Sequence, residues 1–356
     1  MNVLDGVRVL DVTSSLAGPT CAQLLASLGA DVLKIEPPGG DHARAWGPPF
    51  VDGEGAMFLA ANAGKRSLTL DLSSEDGRDE LLRLAGDAQV FVQSLRPGAA
   101  EARGLGPEAV RARNPRLVYC SIGAFGSQGP LRDRPGYDPL LQAASGIMSL
   151  TGERDRPPVR VGVSLVDLST GLWAAFAIVS ALMSGEGCTV EVSLYETALW
   201  LQSYQLVGYL GTGEVPTREG TAFPQIAPYQ AFATADGELM IVAGNDKLFR
   251  GLCDVLGLEP EERFATNPQR VALRDELAAL IEERTRERST EELLDALVAA
   301  GIPASPVLDV GRAAEHEQTR ALGILQQLGG FTTVAQPVSF DGDRLLHRSP
   351  PPKRPG

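Results

Sequence analysis

The sequence predicts an α/β fold built on a doubly wound parallel sheet, and three features indicate it. Short runs rich in valine, isoleucine and leucine alternate with helix-like segments over the first 122 residues. These runs are almost continuously apolar, as in strands buried on both faces. Small-residue and glycine-rich loops follow them, at the strand ends where such sheets bind ligands.

The elements follow in order along the chain. The run VRVLDV (7–12) is a predicted strand, and the loop TSSLAGP, a helix CAQLLASLGA and a second strand DVLKIE (31–36) complete a βαβ opening. Further strands are predicted at 67–72, 88–95 and 116–122, with helices between them. The first loop lacks G-x-G-x-x-G spacing, so the sequence does not support a dinucleotide-binding fingerprint.

The pattern changes after about residue 186. CTVEVSLYETALW predicts a strand that runs into a helix, and a connector rich in glycine, threonine and proline follows at 211–228. The stretch 229–244 predicts a β-hairpin that turns at Asp236-Gly237. The proline-rich end, HRSPPPKRPG, predicts a frayed tail that contains His347.

Composition indicates an ordinary globular protein and excludes several partners. The 356 residues carry a net charge of −13, so neither a nucleic acid nor an anionic membrane is an expected partner. No basic segment with a long apolar run opens the chain, and the longest apolar run, 172–183, is too short to span a bilayer. We therefore expect a cytoplasmic protein. The four cysteines lack metal-ligand spacing, so we expect no metal. A permanently bound cofactor is not expected either.

One acidic residue, Asp167, lies in an otherwise apolar and small-residue segment, VSLVDLSTGLWAA (163–175). A carboxylate there costs free energy unless it is paired, hydrogen-bonded or used in chemistry. Two interpretations stay open on these residues. Aspartate is a favoured N-cap, and a helix N-terminus stabilises a carboxylate by about 0.3–1 kcal/mol. Catalysis is the other interpretation, which the nearby Tyr137-Asp138 pair and the glycine-rich loop at 123–129 favour.

Longer motifs recur along the chain from residue 4 to beyond 305. They include LDGVRVLDVTSSLAGPTCAQLLASLGADVLKIEPPGGDHAR, GKRSLTLDL, NPRLVYCSIGAFGSQGP, RPGYDPLLQAASG, VSLVDLSTGL, VEVSLYETAL and GIPASPV. In this order they resemble the class III CoA-transferases, the family of formyl-CoA transferase and carnitine CoA-transferase. The same family contains α-methylacyl-CoA racemase.

The resemblance implies a fold and a domain organisation. A Rossmann-like large domain with a parallel sheet is expected beside a smaller α+β domain, in an interlocked homodimer. By this resemblance the large, CoA-binding domain spans 1–196 and is completed by about 305–356. A linker is expected at 197–228 and the small domain at 229–304.

The resemblance also implies an activity. Class III enzymes move CoA from an acyl-CoA thioester to a free carboxylic acid, so acyl-CoA and carboxylic acids are the expected substrates. The aspartate at the position of Asp167 is the family's nucleophile and forms a mixed anhydride, then an aspartyl-CoA thioester. Tyr137, Gly126 and Leu16 are expected to support this site.

The residues expected to contact CoA come from the same resemblance. By position they are Leu16, Tyr137, Leu70, Ser94 and Leu95. The chain departs from formyl-CoA transferase where that enzyme has a glutamine, two arginines and a lysine; the residues here are Leu16, Pro37, Ala102 and Pro135. Neighbouring arginines are expected to supply the missing charge, namely Arg44, Arg96, Arg103 and Arg134. Formyl-CoA and oxalate are therefore not expected as substrates.

Two alternatives to CoA transfer follow from the same motifs. The racemase has a histidine where this chain has Tyr137. A tyrosine, with a pKa near 10, is poorly matched to proton exchange at an α-carbon near pH 7, which favours transfer over racemisation. A CoA-binding protein without activity is the second alternative, against which the intact Asp167 argues.

Overall fold

The computed structural model describes residues 2–259 and 261–354. By their contacts these residues form two compact units. The first unit comprises the residues up to Met148, Arg160–Glu214 and the residues from Glu317 onward. The second comprises Ser149–Val159 and Val215–His316. The functional domain limits expected from the resemblance stay predictions.

The first unit is built on a six-stranded parallel sheet, which confirms the predicted α/β class. Its strands are β1 (Arg8–Val12), β2 (Asp31–Glu36), β3 (Arg66–Thr69), β4 (Val90–Gln93), β5 (Val118–Gly123) and β6 (Thr189–Ser193). The order across the sheet is β3-β2-β1-β4-β5-β6, and every pairing is parallel. The strand order reverses between β1 and β4, where Rossmann-type sheets open a ligand crevice.

Both faces of this sheet are buried, as the continuous apolar runs predict. Successive residues of β4 point to opposite sides, because side chains alternate along a strand. Val90 and Val92 join a core cluster that also contains Leu25 and Ile178, while Phe91 joins a second cluster beneath Leu81.

Nine α-helices accompany the sheet in the described residues 2–214. They are α1 (Ala17–Ser27), α2 (Ala56–Ala61), α3 (Glu75–Ala85), α4 (Ala99–Ala102), α5 (Pro107–Arg113), α6 (Asp138–Ser145), α7 (Leu165–Ser184), α8 (Leu194–Leu201) and α9 (Ser203–Thr212). Two 3₁₀ turns lie at His42–Ala45 and Ile147–Leu150. Gly171 lets α7 approach α1 closely: a Cβ there would lie 2.5 Å from the carbonyl oxygen of Ala17.

Helix α7 contains the apolar run 172–183 and is longer than that run. Within the described residues it is the one helix whose length and composition would allow it to cross a membrane. Core helices pass the same test. The buried side chains of α7, among them Val166, Ala174 and Ile178, belong to the cluster that packs on the sheet, so one face of α7 packs into the core.

The second unit contains a three-stranded antiparallel sheet. Its strands are β7 (Tyr229–Ala233), β8 (Glu238–Val242) and β9 (Ala304–Pro306), in the order β9-β8-β7. The hairpin predicted at Asp236-Gly237 is confirmed, because Ala233 pairs with Glu238 across that turn. The helices are α10 (Asp246–Leu256), α11 (Asn267–Ala272), α12 (Arg274–Thr285), α13 (Thr290–Ala299) and α14 (Val310–Glu315), with a 3₁₀ turn at Glu262–Phe264. They enclose a core of their own.

The end of the chain rejoins the first unit. After α15 (Glu317–Leu322), β10 (Leu325–Leu328) and β11 (Phe331–Val334) form a hairpin. Two-residue pairings occur at Ser339–Phe340 with Asp343–Arg344, and earlier at Phe50–Val51 with Glu54–Gly55.

The predicted fraying of the tail is wrong for the residues described. His347 is only 4% exposed, and its ring nitrogens lie 3.3 Å from the Ser27 hydroxyl and 3.0 Å from the Val334 carbonyl oxygen. The Gly64 N–H donates to the Ser349 carbonyl. These contacts fix a proline-rich segment that has few hydrogen bonds of its own; residues 355 and 356 lie outside the described range.

Candidate active site

Asp167 is the third residue of α7 and not its N-cap. The helix begins at Leu165, and the N-cap residue, Ser164, makes no side-chain capping bond. Asp138 caps the helix instead: its Oδ2 accepts hydrogen bonds from the N–H groups of Val166 at 2.8 Å and Asp167 at 3.1 Å. The helix-terminal donors that a carboxylate in this first turn could accept from are thus taken by another residue.

Asp138 was predicted only as a neighbour of Tyr137, and the structure gives it a defined role. It is the first residue of α6 and only 2% exposed. Its Oδ1 accepts from the Gln142 amide at 2.6 Å, and the Gln142 amide oxygen accepts from the Val161 N–H at 2.8 Å. Three N–H donors therefore satisfy a buried carboxylate that has no cationic partner among the described residues.

The Asp167 carboxylate faces a cavity of 610 Å³. In the part of the chain that the structure describes, no hydrogen bond or ion pair reaches this carboxylate, although its backbone N–H is bonded. Burial, and then repulsion by the charge of Asp138, raise the pKa of Asp167 to about 7. An oxygen anion that is poorly hydrated and unpaired is well suited to nucleophilic attack, provided that the pH keeps it ionised.

Loops at the carboxyl ends of the sheet strands wall this cavity, as the fold predicts. Ser14 and Ser15 follow β1, Ser94 follows β4, and Gly123 ends β5. Tyr137, which was predicted to support the site, lines the cavity as well.

Sequence reasoning did not place Trp46 or His42 among the expected site residues. Both line the cavity, and the Trp46 ring meets that of Tyr137 edge-on, with the ring centroids 6.5 Å apart. The available signal was the glycine-rich segment GGDHARAW directly after the predicted strand 31–36.

A second cavity of 430 Å³ lies beside the first. It contains five of the residues expected to contact CoA, namely Leu70, Ser94, Leu95, Arg96 and Arg103. The two cavities share lining residues, among them Ser14, His42 and Arg96. Arg103 lines only the second cavity, Asp167 lines only the first, and Arg96 lines both.

Other predicted site residues lie elsewhere. Leu16 is buried at the start of α1 and is not among the cavity-lining residues. Arg134 is exposed outside both cavities. Gly126 lines a third cavity, of 720 Å³, which adjoins the other two at Leu95 and Arg96.

The placement of Arg44 differs most from its predicted role. Its guanidinium is 1% exposed and lies 2.7 Å from Glu36 and 3.3 Å from Glu54, over the ring of Phe58. Hydrogen bonds from Arg44 and Ser67 to Glu36 outweigh burial and lower the pKa of that carboxyl to about 2. The charge of Arg44 is neutralised inside the fold, so the geometry offers no place for it on a CoA phosphate.

Two further buried ion pairs support the loop after β1. Lys65 lies 2.8 Å from Asp11, and Lys34 lies 2.8 Å from Asp41, with all four side chains at most 1% exposed. Lys34 also donates to the Thr13 carbonyl at 2.8 Å. These bonds hold the loop in which Ser15 adopts a left-handed backbone (φ 71°), a conformation that costs roughly 1–2 kcal/mol outside glycine.

The family described as CoA-transferase family III matches residues 4–355. A succinate–glutarate CoA-transferase of Agrobacterium fabrum is 38% identical, over 98% of this chain and 92% of the relative. An acetyl-CoA:oxalate CoA-transferase of Acetobacter aceti is 39% identical, over 97% and 91%. The crystal structure of a CAIB/BAIF family protein from Brucella suis superposes with a TM-score of 0.90 at 41% identity, over 98% of this chain and 96% of that one.

Proposed function

Because this chain belongs to CoA-transferase family III, we propose that Asp167 carries CoA from an acyl-CoA thioester to a free carboxylic acid. The observation that supports this most is the Asp167 carboxylate, which has no partner among the described residues and faces a cavity that adjoins the one lined by Arg103. A half-buried carboxylate without a partner destabilises the fold, so its presence needs a functional reason.

The chemistry proceeds by a balanced exchange of acyl groups. An Asp167 oxygen attacks the thioester carbonyl, the C–S bond breaks, and CoA thiolate leaves a mixed anhydride behind. The thiolate then attacks the Asp167 carbonyl carbon and releases the donor acid, which leaves an aspartyl-CoA thioester. The acceptor acid repeats these two steps in reverse and leaves as the new acyl-CoA. Since one thioester replaces another, no ATP is required.

The proposed CoA site uses the 430 Å³ cavity for the nucleotide end. Arg96 and Arg103 make no ion pair within the described residues and are free to meet phosphate oxygens. The pantetheine arm then runs past Ser94 and Leu95 towards Asp167. Gly123 and its neighbours at the end of β5 are the proposed source of N–H groups for the developing oxyanion.

We propose dicarboxylic acids as the substrate class. The names of the two curated relatives refer to succinate, glutarate and oxalate. The sequence argument against oxalate depended partly on Leu16, which does not line the Asp167 cavity. Oxalate therefore belongs among the acids to be tested.

The decisive test is a transfer assay in deuterated water. With succinyl-CoA as donor, we expect new acyl-CoA esters of glutarate or oxalate by mass spectrometry, formed at least tenfold faster than from acetate. A second arm supplies one enantiomer of a 2-methylacyl-CoA without an acid acceptor. Deuterium uptake at its α-carbon, with no transfer in the first arm, would establish racemisation instead. Inactivity in both arms would favour a non-catalytic CoA-binding protein.

The CoA site can be tested at Arg103. Replacing it by alanine (Arg103→Ala) is expected to raise KM for the acyl-CoA about tenfold, or roughly 1.4 kcal/mol, because a charged hydrogen bond to phosphate is lost. The kcat should stay within twofold, since Arg103 is remote from the reacting carbonyl. Arg116→Ala, an exposed arginine just before β5, is the matched control. An equal rise in KM in both variants would show that Arg103 is not part of the CoA site.

The interlocked homodimer stays a proposal, as does the cytoplasmic location. The dimer is supported by an exposed apolar surface on α7 and α9, where Phe176, Val207 and Leu210 are 62%, 70% and 78% exposed. Sedimentation equilibrium at micromolar concentration measures the assembly directly, and a monomer would exclude it.

A further inference from the structure

We propose that Asp138 is the positioning residue of the nucleophile: by capping α7 in place of Asp167, it keeps the Asp167 carboxylate off the helix backbone and directed into the cavity. This inference deepens the proposed function, because it assumes that Asp167 is the nucleophile. It assigns to a buried aspartate outside the cavity lining a specific part in the reaction.

The first turn of α7 has backbone N–H groups that need acceptors from outside the helix. The first N–H groups of a helix lack carbonyl partners, and an acidic side chain within the first turn commonly folds back to accept from them. Asp167 occupies such a position, and Ser164 leaves the donors free. Without Asp138, Asp167 itself would be the available acceptor. A carboxylate bonded to its own helix would be a poorer nucleophile and would point away from the thioester.

Asp138 is fixed well enough to fill this role. Its Oδ2 is bonded to the N–H groups of Val166 and Asp167, and its Oδ1 to Gln142, which is itself bonded to Val161. Because Asp138 begins α6 and caps α7, the positive ends of two helix dipoles meet at one carboxylate. These dipoles and donors satisfy the Asp138 carboxylate without a lysine or arginine among the described residues.

The fixed charge has an electrostatic effect on the nucleophile. It adds to burial in raising the pKa of Asp167, and a more basic carboxylate attacks more readily. The other titratable or charged side chains that face the same cavity are His42, Arg96 and Tyr137. None of them forms an ion pair with Asp167 in the described residues, so Asp138 is the charged neighbour that acts on it most directly.

Two variants separate the charge of Asp138 from its hydrogen bonds. Asp138→Asn keeps an oxygen acceptor for the α7 N–H groups but turns an amide donor towards the Gln142 donor. The double variant Asp138→Asn/Gln142→Glu restores a donor–acceptor match there and moves the negative charge one side chain away from Asp167. In Asp138→Asn we expect kcat to fall at least tenfold, KM to change less than threefold, and the acidic limb of the kcat/KM profile to move to lower pH.

The double variant should recover thermal stability and at least a third of the wild-type kcat, with the acidic limb still displaced. Asp309→Asn, which makes the same exchange at the N-cap of α14 in the second unit, is the matched control and should change none of these values. A folded Asp138→Asn protein with wild-type kcat and an unmoved pH profile would overturn the inference.

A readout that does not depend on turnover separates this inference from the proposed function. Carbodiimide coupling to an amine labels accessible, unbonded carboxyl groups, and peptide mass spectrometry measures the labelling of Asp167. We expect at least threefold slower labelling in Asp138→Ala, which removes the acceptor of the Val166 and Asp167 N–H groups, because the Asp167 carboxyl then folds back onto α7. Slower labelling in a protein that shows no CoA transfer would retain the positioning role and reject the proposed function. Unchanged labelling would reject the positioning role.

Discussion

Asp167→Asn is expected to abolish CoA transfer and, at pH 8, to make the folded protein more stable than the wild type. The amide cannot form the anhydride, so kcat should fall by roughly 10⁴-fold or more. Stability should rise because the carboxyl, whose pKa is raised from 3.8 to about 7, is ionised at pH 8 in an unfavourable place. The full shift corresponds to about 4 kcal/mol, and partial contact with solvent reduces it to on the order of 2 kcal/mol.

The sign of the pH dependence follows from the direction of the shift. Above pH 4 the unfolded chain releases the Asp167 proton while the folded protein retains it until about pH 7. The free energy of unfolding of the wild type therefore falls as the pH rises from about 4 to 7. In urea denaturation, the stability difference in favour of Asp167→Asn should grow between pH 5 and pH 8. Asp295→Asn, on the exposed side of α13, should alter neither activity nor stability. Full activity in Asp167→Asn would place the nucleophile elsewhere.

Lys65→Met is expected to lower the free energy of unfolding by about 3–5 kcal/mol. The substitution removes the cation from a fully buried pair and leaves Asp11 charged inside the core. It also removes donors to the Pro19 carbonyl and the Asn62 amide oxygen. Urea denaturation followed by circular dichroism measures the loss.

The adjacent arginine provides a matched control. Arg66 pairs with Asp31 at 2.7 Å, but the two side chains are 66% and 49% exposed. Arg66→Ala should cost less than about 1 kcal/mol, because solvent screens an exposed pair. The double variant Asp11→Leu/Lys65→Met should recover much of the loss, since no charge is then left unpaired. If Lys65→Met and Arg66→Ala lowered the free energy of unfolding by similar amounts, burial would not determine how much the Lys65–Asp11 pair contributes to stability.

The strands could be predicted from the sequence because buried parallel strands have a simple apolar signature. The prediction for 31–36 matches β2, while 67–72 and 88–95 extend beyond β3 and β4. The excess has a physical cause: Leu70 and Ala88 are apolar residues that pack in the core but lie outside the strands. An apolar pattern in the sequence indicates which residues are buried, whereas the ends of a strand depend on its backbone pairing.

The candidate site depended on information that local patterns do not contain. The residues around Asp167 left capping and catalysis open, and the contact that bears on this choice joins Asp138 and Asp167 across 29 positions. Arg44 follows glycines, a context typical of exposed loops, yet Glu36 and Glu54 enclose it. His347 lies in a proline-rich tail that α1 and β11 hold in place. In each case the partner is brought in by packing between distant segments.

The close approach at Gly171 has a kinetic consequence for the intermediate. Helix α1 follows the loop that forms one wall of the Asp167 cavity, and α7 carries Asp167 itself. Where Gly171 meets the Ala17 carbonyl, backbone packs against backbone beside the Thr20 side chain, which leaves little room for the two helices to shift. We therefore expect the two walls of the cavity to move together. In the proposed mechanism, this packing would shield an acyl anhydride on Asp167 from hydrolysis, which would favour the returning thiolate over water.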